Sequence, residues 1–560
     1  MALLCCIGKA HAQISAVNQS AGTLSVGIPL YTLQEGQIAV PIGLSYQGSG
    51  VAVEAAASSV GINWQLNAGG AIVRSVRGKP DESITDIDVN HFAAYLIDRY
   101  PLDEKYAFAK DFEPDIFTVV LGGANVRFTL KKETINGLPK FTVLLLDKGA
   151  DLKIEVISDN TSNYPPGLLV PSGGAINTFD NLILKEGNAV TGLSSFVVTT
   201  ADGMKYYFGT SINEREYVLS KNAWETPAAK LSAYSNQIMA SICPYSWYLS
   251  KVVYPKTPNI GLYQQVTFNY TRSIQPLVSL VHDKEYTLEN APCASLPKTA
   301  LSTDAFIYKC DLTNITSDNY DITFNSNTIA EPKNIASIIP DYVAGSFANK
   351  TRQDLAVPGF ADNIFLMRLG ASGTIPEPLV SPFKTTERTK ALNNIVIKDK
   401  TTQQKIGYYL HHDYFQEYSV SSTNSNNYTF YQSGRLNLKG IYTIKFDALD
   451  STSLMPQSYS FFYNGKTLPV NTSLARDHWG YYNGADANAQ YQRLYVSQSA
   501  CGNPNLNPSL DFAKIGSLYM TKLPMGGVEY YEYELHSSNN YVNQDLTKNI
   551  GGLRDRKSVV

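Results

Sequence analysis

The chain has 560 residues, room for roughly three or four ordinary domains or fewer large all-β ones, and its 44% hydrophobic content allows a sizeable core. Charged residues make up only 17%, tyrosine is abundant at 37, and 46 basic against 49 acidic residues leave a formal net charge of −3. No long run of either sign occurs, which argues against a nucleic-acid partner held by counterion release. Low charge with many tyrosines suits an extracellular β protein better than a cytosolic enzyme.

Residues 1–12 hold a short apolar run ending in Ala10-His11-Ala12, which reads as the remnant of a secretory signal with an A-x-A cleavage site. The basic n-region is missing, and an ordinary disordered terminus is the other reading. Cys5 lacks the small preceding residue usual for lipidation. No run of about 18 apolar residues occurs, so no transmembrane segment is expected. The expected location is secreted or cell-surface, after export across the inner membrane. Removing the signal leaves Cys243, Cys293, Cys310 and Cys501. None forms a C-x-x-C pair and no histidine cluster accompanies them, which argues against zinc. Cys293 and Cys310 either close a loop as a disulfide, worth about 3 kcal/mol, or remain buried free thiols.

Residues 13–213 read as an N-terminal β domain. Ile38, Val40, Ile42, Leu44 and Tyr46 alternate with smaller or more polar neighbours, the period-two pattern of a half-buried strand. A turn at Gly48-Ser49-Gly50 follows. Gly61 and Asn63, which both tolerate positive φ, flank the approach to Trp64. Trp64 and Leu66 share one strand face, and Gly69-Gly70 fits a tight hairpin leading to Ile72. A short helix is expected over Asn90–Tyr100, with Asn90 as N-cap and Pro101 after its end. A polar turn around Pro114 feeds a strand to Leu121, and Gly122-Gly123 returns the chain through Val126–Leu130. From Phe196 to Gly209, a strand, an Asp202-Gly203 turn and a returning strand form the strongest hairpin signal in the chain.

Residues 214–390 look irregular. Leu249–Pro255 and Gln265–Tyr270 are a clear strand pair, but 288–373 cannot be placed beyond short runs such as Ile364–Leu369; an insertion or a second small domain is expected there. Residues 391–560 repeat the strand-pair theme: Leu392–Ile397 with Ile406–Leu410, Leu436–Ile441 with Tyr459–Tyr463, and Leu518–Leu523 with Tyr530–Tyr533 across Gly526-Gly527. The spacing is uneven, so this is a degenerate repeat and not a solenoid. A hairpin cannot bury its own face, and stacking hairpins shares one core. Gly551–Arg554 looks like the start of a further unit. Stopping there would leave an open strand edge, so a fragment is expected, with a non-native last few residues.

Ile28-Pro29-Leu30, Pro41–Tyr46, Val60–Leu66 and Ile72-Val73-Arg74, in this order, resemble the opening of RHS/YD-repeat proteins of Bacteroidetes type. The SpvB-type N-terminal domains and Tc-toxin B subunits are related to these. The chain departs from that pattern at Asn63, usually a second Gly, and at Gln65, usually Ser. Asn is the next-best residue for a left-handed backbone. Glu113-Pro114-Asp115 with Phe117, the Asp202-Gly203 hairpin and Arg476–Gly484 are similar to the same family. The resemblance implies hairpins wound into a hollow β-shell that encloses or carries a C-terminal effector, with no effector inside these residues.

Searching for chemistry finds no phosphate-binding G-x-x-x-x-G-K loop, no G-x-S-x-G elbow and no H-E-x-x-H pair. Asp86–Asn90 starts like a calcium loop, yet His91 and Ile97 stand where Gly and Glu are needed. Asp111, Glu113 and Asp115 could supply a glycosidase-like acid pair; a solvated turn is the plainer reading. His411 and His412 are adjacent on a strand and point to opposite faces. Asp477-His478 is poor geometry for a relay. Trp479, Tyr481 and Tyr482 read as packing residues in a turn, with a carbohydrate-stacking platform as the alternative.

The expectation is therefore an all-β protein. An N-terminal β-meander or sandwich is followed by stacked β-hairpins of a YD-repeat-like shell, with few short helices. Its landmarks are structural: Pro29, Tyr46, Gly61, Asn63, Trp64, Gly69, Gly70, Pro114, Asp202, Gly203, Trp479, Gly526 and Gly527. No catalytic, cofactor or metal residue is assigned. The function expected is a non-enzymatic scaffold whose partners are its own C-terminal region or a toxin effector. An adhesin that binds a surface glycan or protein is the alternative, and a glycoside hydrolase ranks lower.

Overall fold

A computed structural model describes residues 15–18, 22–77, 81, 114–122, 124–135, 138–147, 149, 151–158, 193–220, 244–257, 262–281, 300–326, 332–339, 390–415, 435–465, 467–469, 473, 475–486, 505–538 and 548–559. The signal-like residues 1–12, the calcium-like and helix-like stretches within 86–100, and the run at 364–369 lie outside these. The described chain is nearly all antiparallel β, as the alternating pattern predicts.

Four strands form a small sheet in chain order: β1 (Ser15–Val17), β2 (Leu24–Glu35), β3 (Ile38–Gly48) and β4 (Trp64–Ala68). Along β3, Ile38, Val40, Ile42, Leu44 and Tyr46 are all buried while Ala39, Pro41 and Gln47 are exposed, so the period-two signal is realised residue by residue. Pro29 lies exposed on β2 beside a register shift between Pro29 and Tyr31, where its missing N–H disturbs the ladder least.

The Gly69–Gly70 expectation needs correcting. No hairpin forms there. β4 pairs with β3, whereas β5 (Gly70–Ser75) pairs with β6 (Ile116–Leu121), so the two glycines carry the chain from one sheet to another. Gly69 has φ +109, and a Cβ added to Gly70 would lie 2.7 Å from the Val120 carbonyl oxygen. The dipeptide permits a sharp change of direction beneath a neighbouring backbone.

From β5 the network continues through β6, β7 (Ala124–Ile135), β8 (Leu138–Leu145), β9 (Leu152–Ser158), β10 (Leu193–Thr200) and β11 (Lys205–Phe208). Then β11 pairs with β13 (Pro244–Thr257), and β13 pairs back onto β5 through Trp247 opposite Ile72. These eight strands make a closed ring. Trp247 sits inside it, fully buried, with the rings of Phe196 at 4.9 Å and Phe117 at 5.9 Å, and Phe128 stacked on Phe117 at 5.1 Å. The Asp202-Gly203 hairpin joins β10 to β11 as expected, with Gly203 at φ +83.

Beyond β13 the strands follow one another as neighbours: β14 (Leu262–Val281), β15 (Ala300–Thr316), β16 (Tyr320–Asn325), β17 (Asn394–Asp399), β18 (Lys405–Tyr414), β19 (Leu436–Phe446), β20 (Thr452–Tyr463), β21 (Leu518–Lys522), β22 (Val528–Ser538) and β23 (Lys548–Val559). The three strand pairs read from residues 391–560 are β17–β18, β19–β20 and β21–β22, and the last closes over Gly526-Gly527. β15, seventeen residues long and paired with β14 along most of its length, occupies part of the stretch that local pattern left unplaced. On β23 the backbone N–H groups of Leu553 and Asp555 donate to Ser49 and Gly22 of the small sheet's loops, so that part of its outer edge is occupied. Helix is limited, among the described residues, to single turns such as α1 (Ile335–Ile338) and α2 (Leu510–Ala513).

The small sheet lies against this long ladder. Trp64 packs on Phe461 of β20 at 4.6 Å and on Tyr46 at 5.3 Å. The Tyr408 hydroxyl of β18 donates to Leu30, and the Leu518 N–H of β21 donates to the Tyr46 hydroxyl. The anchoring tryptophan is buried, as its sequence context predicts.

Candidate functional site

Four polar constellations hold the residues that chemistry would use. The first joins residues from two of the family-like motifs. Arg74, at the end of β5, and Asp115, at the approach to β6, form an ion pair with no exposed side-chain surface on either partner. Arg74 Nε donates to Asp115 Oδ2 at 2.8 Å, and the backbone N–H groups of Arg77 and Asp81 donate to the same carboxylate at 2.8 and 3.1 Å. Asp81 accepts in return from the Asp115 N–H, and the guanidinium lies over the Phe117 ring. Every oxygen of Asp115 is committed to structure. Asp115 is therefore a buried anchor and not a solvated turn acid; Pro114 beside it is exposed, and Asp111 and Glu113 lie outside the described residues.

The second is the hydrogen-bond chain under Trp64. Its Nε1 donates to the Tyr463 hydroxyl at 2.8 Å, and that hydroxyl donates to the Leu438 carbonyl at 2.6 Å. Gly61 and Asn63 shape the approach. Asn63 holds φ 61, its Nδ2 donates to Gly50, and its carbonyl accepts from Gln47. Asn in place of the resembled family's second Gly thus keeps the turn and adds a side-chain clamp.

The third is the turn Asp477–Tyr481. Asp477 Oδ1 accepts from the N–H groups of Trp479 and Tyr481 at 2.9 and 3.0 Å, and burial pushes its carboxyl above the ordinary range. Tyr481 packs inward against Gly50 and Gly552. Trp479 does not pack in the same way. It is 47% exposed, and the floor under it is Gly551, where an added Cβ would lie 2.8 Å from Trp479 Cβ. The His478 ring stands nearly perpendicular to it at 5.9 Å.

The fourth was not read from sequence. β12 (Arg215–Ser220) is wedged between β13 and β15, giving a second, four-stranded ring of β12, β13, β14 and β15. Glu216, Tyr248, Tyr270, Arg272 and Cys310 come together there. The Tyr248 hydroxyl donates to Glu216 Oε2 at 2.8 Å, and the Tyr270 hydroxyl donates to Leu249 at 3.0 Å. Just before β12, Glu214 accepts from Ser211 N–H, Thr210 Oγ1 and Ser250 Oγ. Cys310 is a buried free thiol, held well above the usual thiol range by burial. Its place in the cluster follows from the pairing of β15 with β12 and β14, which no local signal carries.

His411 lies near the rings of Tyr409 and Tyr442, while His412, past a register shift in the β18–β19 pairing, is buried. Among the described residues, no group of three or more His, Cys, Asp or Glu is placed to hold a metal, and no helix is long and apolar enough to cross a membrane.

No protein-family model matches the chain, and no curated protein matches it in sequence. Two solved structures are similar to it at low level. One is the Photorhabdus luminescens Tc holotoxin pore with a TccC3 mutation, at TM-score 0.37 and 10% identity over 79% of this chain. The other is TcdB2-TccC3-TEV, at TM-score 0.38 and 11% identity over 82%. The chain spans 16% and 17% of the length of those chains.

Proposed function

We propose that the chain is a non-enzymatic structural wall, exported to the cell surface or beyond, and that it forms the N-terminal part of an RHS/YD-repeat-like shell that encloses or presents an effector. The observation that carries this reading is the ladder from β13 to β23. Each strand pairs with its successor, and the small β1–β4 sheet lies against it through Trp64, Tyr46 and Leu30. Such a ladder lengthens by adding hairpins, each burying its face against the last. Two of the family-like motifs meet in this architecture. Arg74 meets Asp115, and the Trp64 strand supports the ladder. Among the described residues, Asp115 and Asp477 accept from backbone N–H groups and His411 lies near two tyrosine rings.

The test is electron microscopy of the full natural gene product, with limited proteolysis beside it. Continuous strands winding around an internal space, with the sequence after residue 560 protected from protease, support the reading. A solid sandwich with that sequence fully cleavable overturns it.

A second reading, an adhesin module for glycans, is favoured by one observation. Trp479 presents an open indole face on a rigid turn, in a chain whose other described tryptophans, Trp64 and Trp247, are buried. Glycan-array binding that is lost in Trp479→Ala, with stability unchanged, would favour it over the shell.

A further inference from the structure

Two aromatic rings on the connection between β20 and β21, residues 464–517, are mounted in the same way. Trp479 is 47% exposed, and Phe512, on α2, is 38% exposed. Each lies against a glycine that leaves no room for a side chain. A Cβ added at Gly551 would stand 2.8 Å from Trp479 Cβ and 2.9 Å from its Cε3, and one added at Gly484 would run into the Phe512 ring. Each also has a second ring set nearly at right angles beside it. His478 meets Trp479 at 84° and 5.9 Å, and Tyr482 meets Phe512 at 78° and 5.3 Å. The result is two corners, each with an aromatic floor and an upright ring as its wall.

The corners are held in one frame. The Asn483 side-chain amide donates to the carbonyls of Asn505 and Asn507 at 2.8 and 3.1 Å, and the His478 N–H donates to Leu506 at 3.2 Å. These bonds tie the stretch that carries Trp479 to the stretch that leads into Phe512. A floor fixed before binding gives up little side-chain freedom when it is covered. An aromatic face is negative and its rim positive. What suits the face is a flat array of C–H groups with hydroxyls around the edge, which is the make-up of a pyranose.

The charges nearby narrow the choice. Arg476 is paired with Glu54 and Lys514 with Asp511, while the exposed Asp486 stands 3.5 Å from the Tyr482 hydroxyl. Bases committed to acids, with a carboxylate at the second corner, suit a neutral sugar and disfavour a uronate. Resting on the glycan reading of Trp479, we propose that this connection carries two stacking subsites, Trp479 with His478 and Phe512 with Tyr482. Their ligand is an uncharged oligosaccharide long enough to lay one sugar ring on each.

Calorimetric titration of the whole chain tests this, with neutral tetrasaccharides (β-linked glucose, mannose, xylose or N-acetylglucosamine) and with tetragalacturonate as probes. At least one neutral tetrasaccharide should bind, about tenfold or more tighter than its own disaccharide, and tetragalacturonate should not bind. Trp479→Ala and Phe512→Ala should each weaken that tetrasaccharide about tenfold or more, with the melting temperature unchanged. The two-subsite inference is overturned, with the glycan reading intact, if Trp479→Ala abolishes binding while Phe512→Ala binds like the wild type. Tetragalacturonate binding as tightly as the neutral chains overturns it in the same way. Absence of binding to every sugar overturns both. Should Phe512→Ala not fold, the ratio of tetrasaccharide to disaccharide affinity in the wild type still decides it.

Discussion

Two tryptophans stand in two differently built parts of one continuous hydrophobic core. Trp64 stands where one sheet lies across another, and its burial comes from residues hundreds of positions away: Phe461, Tyr463 and Leu438. Trp247 stands inside a ring of strands that closes on itself, packed by Phe117, Phe128 and Phe196, with its Nε1 donating to Leu193 at 3.2 Å. The first is a lid on a ladder, fixed by polar links as well as by area. The second is a filled cylinder, fixed by aromatic packing, with the buried Arg74–Asp115 pair at one corner. The difference teaches that one chain can use the same residue type as a bolt in one place and as filler in another.

Mutations can break or sharpen this contrast, beginning with the largest effect. Trp247→Ala should cost about 3–5 kcal/mol, because the ring cannot collapse around the void. Urea unfolding should show the loss, with ring amides (β5, β6, β10) deprotected before those of β19. Trp64→Ala belongs to the same range but should deprotect the opposite set. Equal deprotection of both regions by either variant would show that the two interiors are one cooperative unit.

Arg74→Ala should cost about 3–5 kcal/mol by leaving Asp115 buried and unpaired. Replacing Arg74 and Asp115 together with Met and Leu should recover only part of that loss, as measured by thermal unfolding, because the Arg77 and Asp81 N–H groups lose their acceptor. Tyr463→Phe removes the oxygen that links Trp64 to Leu438, and about 1–3 kcal/mol is expected. The same change at Trp64, to Phe, should be partly redundant with it, so that a double-mutant cycle gives a coupling above about 0.5 kcal/mol. Trp479→Ala, on the exposed turn, should change stability by no more than about 0.5 kcal/mol. That leaves it suitable for testing glycan binding alone.

The sequence made legible whatever depends on neighbours in the chain. The β3 alternation, the Asp202-Gly203 and Gly526-Gly527 turns, and the three late strand pairs could all be read because a hairpin carries its own register. The burial of Trp64 was readable from its place beside Leu66 on an apolar face. Closure was not. Nothing local distinguishes Gly69-Gly70 as a bridge between sheets from Gly-Gly as a hairpin turn, because the deciding contact is the Val120 carbonyl some fifty residues on. β15 was missed because no single period-two pattern runs along it: its pairing with β14 shifts register between Asn269 and Tyr270 and again between Leu277 and Val278. Arg74 and Asp115 each belonged to a recognised motif, yet their pairing required β5 and β6 to be known as neighbours. The polar cluster at β12 was hidden for the same reason, since its members come from four strands.

β13 leaves one consequence to draw. Each of its edges is divided between two neighbours, β11 and β12 along one side and β14 and β5 along the other. Adding or deleting a single residue there would turn Trp247 outward and misalign four other strands at once. The tip of a later hairpin such as residues 524–526, where Met525 is 88% exposed and a Cβ added at Gly526 would meet nothing within 4 Å, can be lengthened without moving a neighbouring strand. Evolution is free to ornament this molecule at its fringe, while its spine has to be inherited letter for letter.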